Sequence, residues 1–350
     1  MSAGAIAGDA LRGVLAPVGL RIVRFYQTVR ADDRSLSGRD RGAIVQRMKD
    51  KLVVVVGAGG KLGRLIVRSL LEHPEVRVRA LVRDPRKLDD AGWPADRVEA
   101  MAFDAVSSTA AAREDAMRPA FSVISALQGG PDIIIDAQLA LVRAAKAAGA
   151  RRFIASDYSF DFFTLSEGIN VAADWRRQLA IRAREENSGA FELVHVLNGM
   201  FLDRNVFSFL EIFDAEKRIL RYWGEGTTPI DLTTWEDTAA FTAEAALDED
   251  RVPERLSVSG GRMDIFTLAK TWEAVHGKSL TLERLGSLDD LARETRRRLD
   301  ADPRNPLSWL PMMYARGVFG GEALLSENHN ARYPSVRPTS IADGIARGAL

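Results

Sequence analysis

Hydrophobic and polar positions along this chain switch between two periods. Leu52-Val53-Val54-Val55-Val56 is an unbroken apolar run rich in β-branched residues, which suits a strand covered on both faces. Leu65-Ile66-Val67-Arg68-Ser69-Leu70-Leu71 then resumes with helical spacing. Val76 to Val82 alternates with period two and predicts a second strand, closed by Arg83-Asp84-Pro85. Val98 to Phe103 predicts a third strand, ending in Asp104, and Phe121 to Leu127 a fourth, ending in Gln128-Gly129-Gly130-Pro131. A long helix is expected from an Asp132 cap through Ala148, stopped by Gly149. Arg152 to Ser156 predicts a fifth strand, Ala172 to Ser188 a helix, and Phe191 to Leu197 a sixth strand. Strands separated by short helices imply an α/β fold with a doubly wound parallel sheet.

Beyond that point the pattern shortens. Ile219 to Tyr222 and the region around Leu256 read as strands, and helices are expected after Trp235 and from Ile265 and Leu288. Pro303-Arg304-Asn305-Pro306 reads as a loop, and Trp223, Trp235, Trp272 and Trp309 as cap core, with one or two of them open to lining an aromatic substrate pocket. The expected organisation is an extension at 1–50, a nucleotide-binding domain at 51–200, and a smaller α+β cap at 201–350. The cap is interleaved with the sheet. In the extension, Leu11, Val14, Leu15, Val18, Ile22 and Phe25 share a helical face broken at Pro17, with Arg12, Arg21, Arg24 and Arg30 beside it. Three readings stay open for it: a clasp on the domain or on a partner, a peripheral membrane contact, or an organelle leader. Arginines interrupt every apolar core, which excludes a secretory signal.

Composition narrows the class. With 48 basic and 48 acidic residues in 350, the chain carries no net charge, which argues against nucleic-acid partners. Absence of cysteine excludes disulfides and thiolate chemistry. No uncharged apolar run approaches the ~18 residues of a membrane span, so a cytoplasmic protein is expected.

The candidate chemistry lies between the first strand and helix, at Gly57, Ala58, Gly59, Gly60, Lys61, Leu62 and Gly63. Glycines let backbone N–H groups approach a diphosphate, and the helix start adds partial positive charge. The spacing Gly57-x-x-Gly60-x-x-Gly63, with strand and helix in place, favours a dinucleotide. Lys61-Leu62 stands where a mononucleotide phosphate loop would need Gly-Lys-Ser/Thr. The residue ending the second strand reads the adenosine ribose, and here it is Arg83, with Arg86 and Lys87 close by. A guanidinium can grip a 2′-phosphate through two hydrogen bonds, which favours NADP(H) over NAD(H). An inward-turned Asp84 would reverse that preference. Asp104 has two readings, acceptor for the adenine amino group or cap of the following turn.

Taken in order, these segments resemble the NmrA-like and isoflavone/pinoresinol reductase branch of atypical short-chain dehydrogenases. The likeness rests on Gly57 to Gly63, Ala80 to Pro85, Val123-Ile124-Ser125-Ala126-Leu127, Lys146 to Ile154, Ser156-Asp157-Tyr158-Ser159-Phe160-Asp161, and Leu197-Asn198-Gly199-Met200-Phe201. It covers roughly Lys51 to Gly260. The resemblance implies an NADP(H)-binding Rossmann domain, with Ala126, Leu127, Ser156 and Asn198 also facing the cofactor. In reductase members it implies hydride delivery to aromatic ethers, enones or ketones; regulator members bind the dinucleotide without turning it over.

Reduction needs a proton donor near the oxygen that gains charge. The short-chain dehydrogenase pair, Tyr with Lys four positions on, is missing: Phe162 follows Tyr158 and Gly226 follows Tyr222. In the reductase Lys-x-x-Ile-Arg setting, Ile181-Arg182 places Gln178 at the lysine position. Tyr158, Asp157 and Arg177 remain as candidates beside their structural readings, a buried phenol, a loop cap and a helix surface. The four histidines lack spaced ligand partners, so no metal is expected. The leading expectation is an oxidoreductase reducing a small carbonyl, enone or quinone-type substrate. The alternative is a non-catalytic NADP(H) sensor acting through a protein partner. A smaller third reading is an isomerase or structural subunit that keeps the dinucleotide for stability.

Overall fold

Four consecutive buried valines, Val53 to Val56, place β1 (Lys51–Val56) at the centre of a sheet, where neither face meets water. The computed structural model describes residues 51–186 and 189–350. After β1 come α1 (Lys61–Leu70), β2 (Val76–Val82), β3 (Val98–Ala102), α2 (Ala110–Met117), β4 (Ser122–Ser125), α3 (Gln138–Ala147), β5 (Arg152–Ser159), α4 (Val171–Glu186) and β6 (Glu192–Leu197). The remainder runs β7 (Met200–Phe201), α5 (Arg204–Phe209), β8 (Phe213–Asp214), β9 (Ile219–Trp223), β10 (Ile230–Thr233), α6 (Trp235–Leu247), β11 (Arg255–Ser257) and β12 (Gly261–Met263). It closes with α7 (Ile265–His276), β13 (Thr281–Gly286), α8 (Leu288–Ala301), α9 (Pro306–Gly320) and α10 (Ile341–Ala346).

Seven strands form one sheet in the order β11-β6-β5-β4-β1-β2-β3, with every pairing parallel. The order reverses between β1 and β4, so their carboxyl ends flank the crevice in which such sheets bind ligands. Because β11 comes from the C-terminal half, the cap and the sheet are interleaved. Two three-stranded sheets, β12-β10-β7 and β13-β9-β8, lie outside the main one. Phe207, Trp223, Ile265, Leu268, Trp272, Leu291 and Met312 share a cap core with Phe160, Phe162 and Leu197. The cap is therefore rooted where β5 and β6 end.

Several expectations need correction. Asp132 does not cap the helix leading to Ala147: a π-helical turn over Asp132–Ala137 comes first, and its cap residue, Pro131, offers no side-chain acceptor. Pro306 opens α9 rather than ending a loop, consistent with the missing N–H of proline being harmless in a first turn. Trp235 begins α6 and packs against the core shared by β1, β2 and α1 instead of the cap core. The N-terminal amphipathic segment and Ser188 lie outside the described residues. Among the described residues no helix is long and apolar enough to cross a membrane.

Candidate functional site

The glycine loop forms the floor of the β1/β4 crevice, and two of its glycines are required by close approach. At Gly57 the backbone has φ +85°, and a Cβ there would lie 2.7 Å from the Ala126 carbonyl oxygen. At Gly63 a Cβ would stand 2.8 Å from Ala58 Cα and press on the Gly57 carbonyl. The turn after β1 is thereby packed directly on the chain after β4 and on the start of α1. Gly60, at the helix N-cap, supplies no side-chain acceptor, and the first turn carries no acid. By contrast, side chains cap α2, α5, α6, α7, α8 and α10. The leading amides of α1 are left for an external anion, in the field of the helix dipole.

Three residues beyond those expected brace this loop. Arg64 donates through Nε to the Gly59 carbonyl at 3.3 Å, and through its terminal nitrogen to the Lys87 carbonyl and to Asp90 Oδ1. One guanidinium thus ties the phosphate turn to the 3₁₀ turn after β2. Gln138, fully buried just after the π turn, accepts from Ser156 N–H at 2.8 Å and donates to the Ile134 carbonyl at 3.1 Å. Ser156 Oγ donates to the Leu127 carbonyl at 2.6 Å, which holds the Ala126–Leu127 wall against β5. Gln138→Leu should strand a buried N–H and a buried carbonyl, costing about 2 kcal/mol. The melting temperature should fall by about 5 °C; an unchanged transition would show that the brace contributes nothing. The third is Asp203, which holds Lys61.

At the ribose end, Asp84 is paired to Arg86. It accepts from Arg86 N–H and from both Nε and a terminal nitrogen of Arg86, at 2.9–3.2 Å. The Arg86 hydrogen bond, first among several causes, holds the Asp84 carboxyl below its ordinary value. Arg83, immediately after β2, is exposed and engages no hydrogen bond or ion pair among the described residues. Asp104 accepts from the amides of Val106 and Ser107 at 2.8 and 3.0 Å, which lowers its pKa, so the turn-cap reading describes its geometry. Lys87 contributes its carbonyl to the Arg64 tie, and its ammonium is not used there.

Lys61, the first residue of α1, spans to the chain after β7. Its Nζ lies 2.6 Å from Asp203 Oδ2 and 4.7 Å from the centre of the Trp235 ring. That ring stacks on Phe201 at 3.6 Å, nearly parallel. Asp203 Oδ1 caps α5 through the amides of Asn205 and Val206. Burial works to raise the Asp203 pKa, but the Lys61 hydrogen bond and charge, with the two amides, bring it below its ordinary value.

The two residues expected to handle a proton are placed differently. The β5–β6 register shifts between Ala155 and Ser159, and Tyr158 adopts φ +38°. Its hydroxyl is buried and donates to the Ser125 carbonyl at 3.2 Å. Desolvation drives its pKa far up, with the Asp157 charge adding to the effect. This arrangement matches the structural reading of a buried phenol hydrogen-bonded to backbone. Asp157 is also buried, and its Oδ2 lies 2.6 Å from Nδ1 of His195 on β6. Which of the two groups donates in this contact depends on the His195 tautomer. His195 has an acidic partner that spacing did not reveal, with Phe162 and Phe163 edge-on to its ring. Among the described residues no group of three His, Cys, Asp or Glu could hold a metal.

Helix α4 does not replace the missing acid. Arg177 is spent on the carbonyls of Phe162 and Leu165 and on Asp174, and Arg176 on the carbonyls of Asp157 and Ala172. They tether the loop after β5 and are not simply a helix surface; Trp175 beside them is half-exposed. Gln178 is exposed on the same helix. Asn198, fully buried after β6, has both side-chain amide atoms without a partner among the described residues, while its carbonyl accepts from Thr233 Oγ1 at 2.6 Å.

A doubly wound parallel sheet, a glycine turn at its switch point and a cap rooted on the carboxyl ends of β5 and β6 define a Rossmann-type protein with a smaller α+β appendage. The model of the NmrA-like family matches residues 49–294, and the chain belongs to that family. The chain superposes on isoflavone reductase with a TM-score of 0.71 at 17% identity, covering 85% of this chain and 99% of the other. Leucoanthocyanidin reductase from Vitis vinifera, solved with NADPH, gives 0.67 at 18% identity over 85% and 98%. An NADPH-dependent quinone oxidoreductase from Escherichia coli, also with NADPH, gives 0.65 at 18% over 84% and 99%. Among curated proteins no sequence matches the chain.

Proposed function

We propose that this chain binds NADP(H) in the β1/β4 crevice and acts as an oxidoreductase on a small carbonyl, enone or quinone-type acceptor. The observation that carries the reading is the pairing of an uncapped, glycine-fronted helix start with an exposed Arg83 that makes no hydrogen bond or ion pair among the described residues, beside an Asp84 paired to Arg86. The cradle fits a dinucleotide, because a side chain at Gly57 or Gly63 would fill or displace it. Gly59, Lys61 and Leu62 would present amides to the diphosphate while the Gly60 amide closes the turn on the Gly57 carbonyl, Arg83 would hold the 2′-phosphate, and the Ala126–Leu127 wall would line the path toward the nicotinamide. The reductase neighbours solved with NADPH support the same reading.

When bound, NADPH supplies a hydride. The chain's own part is to hold the dinucleotide rigidly and to leave the acceptor open at the cap side. With Tyr158 buried and Gln178 where reductases of this branch carry lysine, an acceptor whose anion takes its proton from water suits the site best. A quinone fits that requirement better than a benzylic ether, whose leaving oxygen needs an acid.

A second reading has one observation in its favour. Gln178 cannot donate as an acid, so the site also suits a sensor that binds NADP(H) and signals to a protein partner. Rates of NADPH oxidation against quinones, enones and aryl ketones separate the two. Turnover with quinones well above that with aryl ketones is the expected result. Tight NADPH binding without turnover across the panel would establish the sensor instead.

A further inference from the structure

Lys61 is occupied in an unusual way for a residue at the mouth of a phosphate site. It is the first residue of α1, whose amides have no cap, yet its ammonium is turned aside to Asp203 at 2.6 Å, with its charge over the face of Trp235. Helix side chains tilt toward the N-terminus, so a lysine here can reach an anion seated before the helix as readily as Asp203. Asp203 would not be stranded by its departure. The Asn205 and Val206 amides stay on Oδ1, and its backbone leads straight into α5, whose Phe207 is fully buried in the cap core. A half-exposed ammonium with three donors, set between one carboxylate and a diphosphate carrying two charges, favours the diphosphate.

We infer that Lys61 exchanges Asp203 for the dinucleotide diphosphate on binding, so that an occupied cofactor site releases the bond between the glycine loop and the cap. The inference rests on the NADP(H) reading above. Asp203 acts as a competitor held inside the fold: it keeps Lys61 off the phosphate site while the site is empty and opposes cofactor binding. The same event removes one tie from Asp203, the cap of α5, and through that helix start occupancy reaches the cap.

The test is a double-substitution cycle on the full chain, read by calorimetric titration with NADP⁺ at fixed ionic strength. Lys61→Met keeps the apolar stem over Trp235 and removes the charge; Asp203→Asn keeps an N-cap side chain, as does Asp203→Ser should the first variant fold poorly. Lys61→Met is expected to weaken NADP⁺ about tenfold, and Asp203→Asn to tighten it about threefold, in keeping with a partly exposed ion pair. In the Lys61→Met background the Asp203 substitution should lose its effect. An Asp203→Asn protein that binds no tighter than wild type would overturn the exchange. So would a tightening that persists without Lys61, since that would be plain charge repulsion. Wild type that binds NADP⁺ while the cycle is additive refutes the exchange alone; wild type that binds none refutes the cofactor reading and the exchange with it.

Discussion

Gly63→Ala is expected to lower NADPH affinity by two orders of magnitude or more while leaving a folded protein. The new Cβ would stand 2.8 Å from Ala58 Cα and against the Gly57 carbonyl, both backbone atoms that cannot swing aside. Relief requires the glycine turn to move away from α1, which takes the leading amides off the diphosphate. Two charge-assisted hydrogen bonds at about 1.5–3 kcal/mol each correspond to at least a hundredfold loss. The overpacking itself costs about 1–3 kcal/mol, which a large sheet core can absorb. Titration with NADPH, alongside a melting curve, distinguishes the two effects. Affinity within threefold of wild type would mean that the turn does not carry the phosphate.

Arg83→Ala is the second large effect, and its signature is selectivity. Arg83 is exposed and makes no hydrogen bond or ion pair among the described residues, with the Asp104 charge its neighbour, while Asp84 is bound three ways by Arg86. Losing a guanidinium–phosphate contact of about 2 kcal/mol should weaken NADPH roughly thirtyfold. NADH, which lacks the 2′-phosphate, should bind within about twofold of its wild-type value, because nothing of its contact set has changed. Parallel losses for both coenzymes would show that Arg83 acts on the fold or the diphosphate and not on the ribose.

The parts of the fold legible in the sequence are those in which pattern and geometry have the same period. The run to Val56 is apolar on both faces because β1 is central. The alternation from Val76 to Val82 matches β2 residue for residue, and Gly57 to Gly63 sits at the strand–helix turn where it was read. The π turn was illegible, because Ile133, Ile134 and Ile135 fit an ordinary helix equally well and only the backbone bonding distinguishes them. The strands β7, β10 and β12 are two to four residues long and offer no period to detect.

The site shows the same division. Glycine positions and Arg83 are local signals. The Asp157–His195 contact joins residues 38 apart through a register shift, and Lys61–Asp203 joins residues 142 apart, so neither had a spacing to announce it. Gln138 could have been suspected, since an uncharged amide on an apolar helix face must find partners once buried. Tyr158 is a candidate donor from its neighbours in sequence, and only the structure shows its hydroxyl buried on the Ser125 carbonyl.

The central claim is that the β1/β4 crevice holds a dinucleotide and reads its 2′-phosphate. Isothermal titration of the wild-type chain with NADPH and with NADH tests it most directly. Saturable 1:1 binding of NADPH, at least tenfold tighter than NADH, is the expected result. Binding of neither coenzyme, or a preference for NADH, would contradict it.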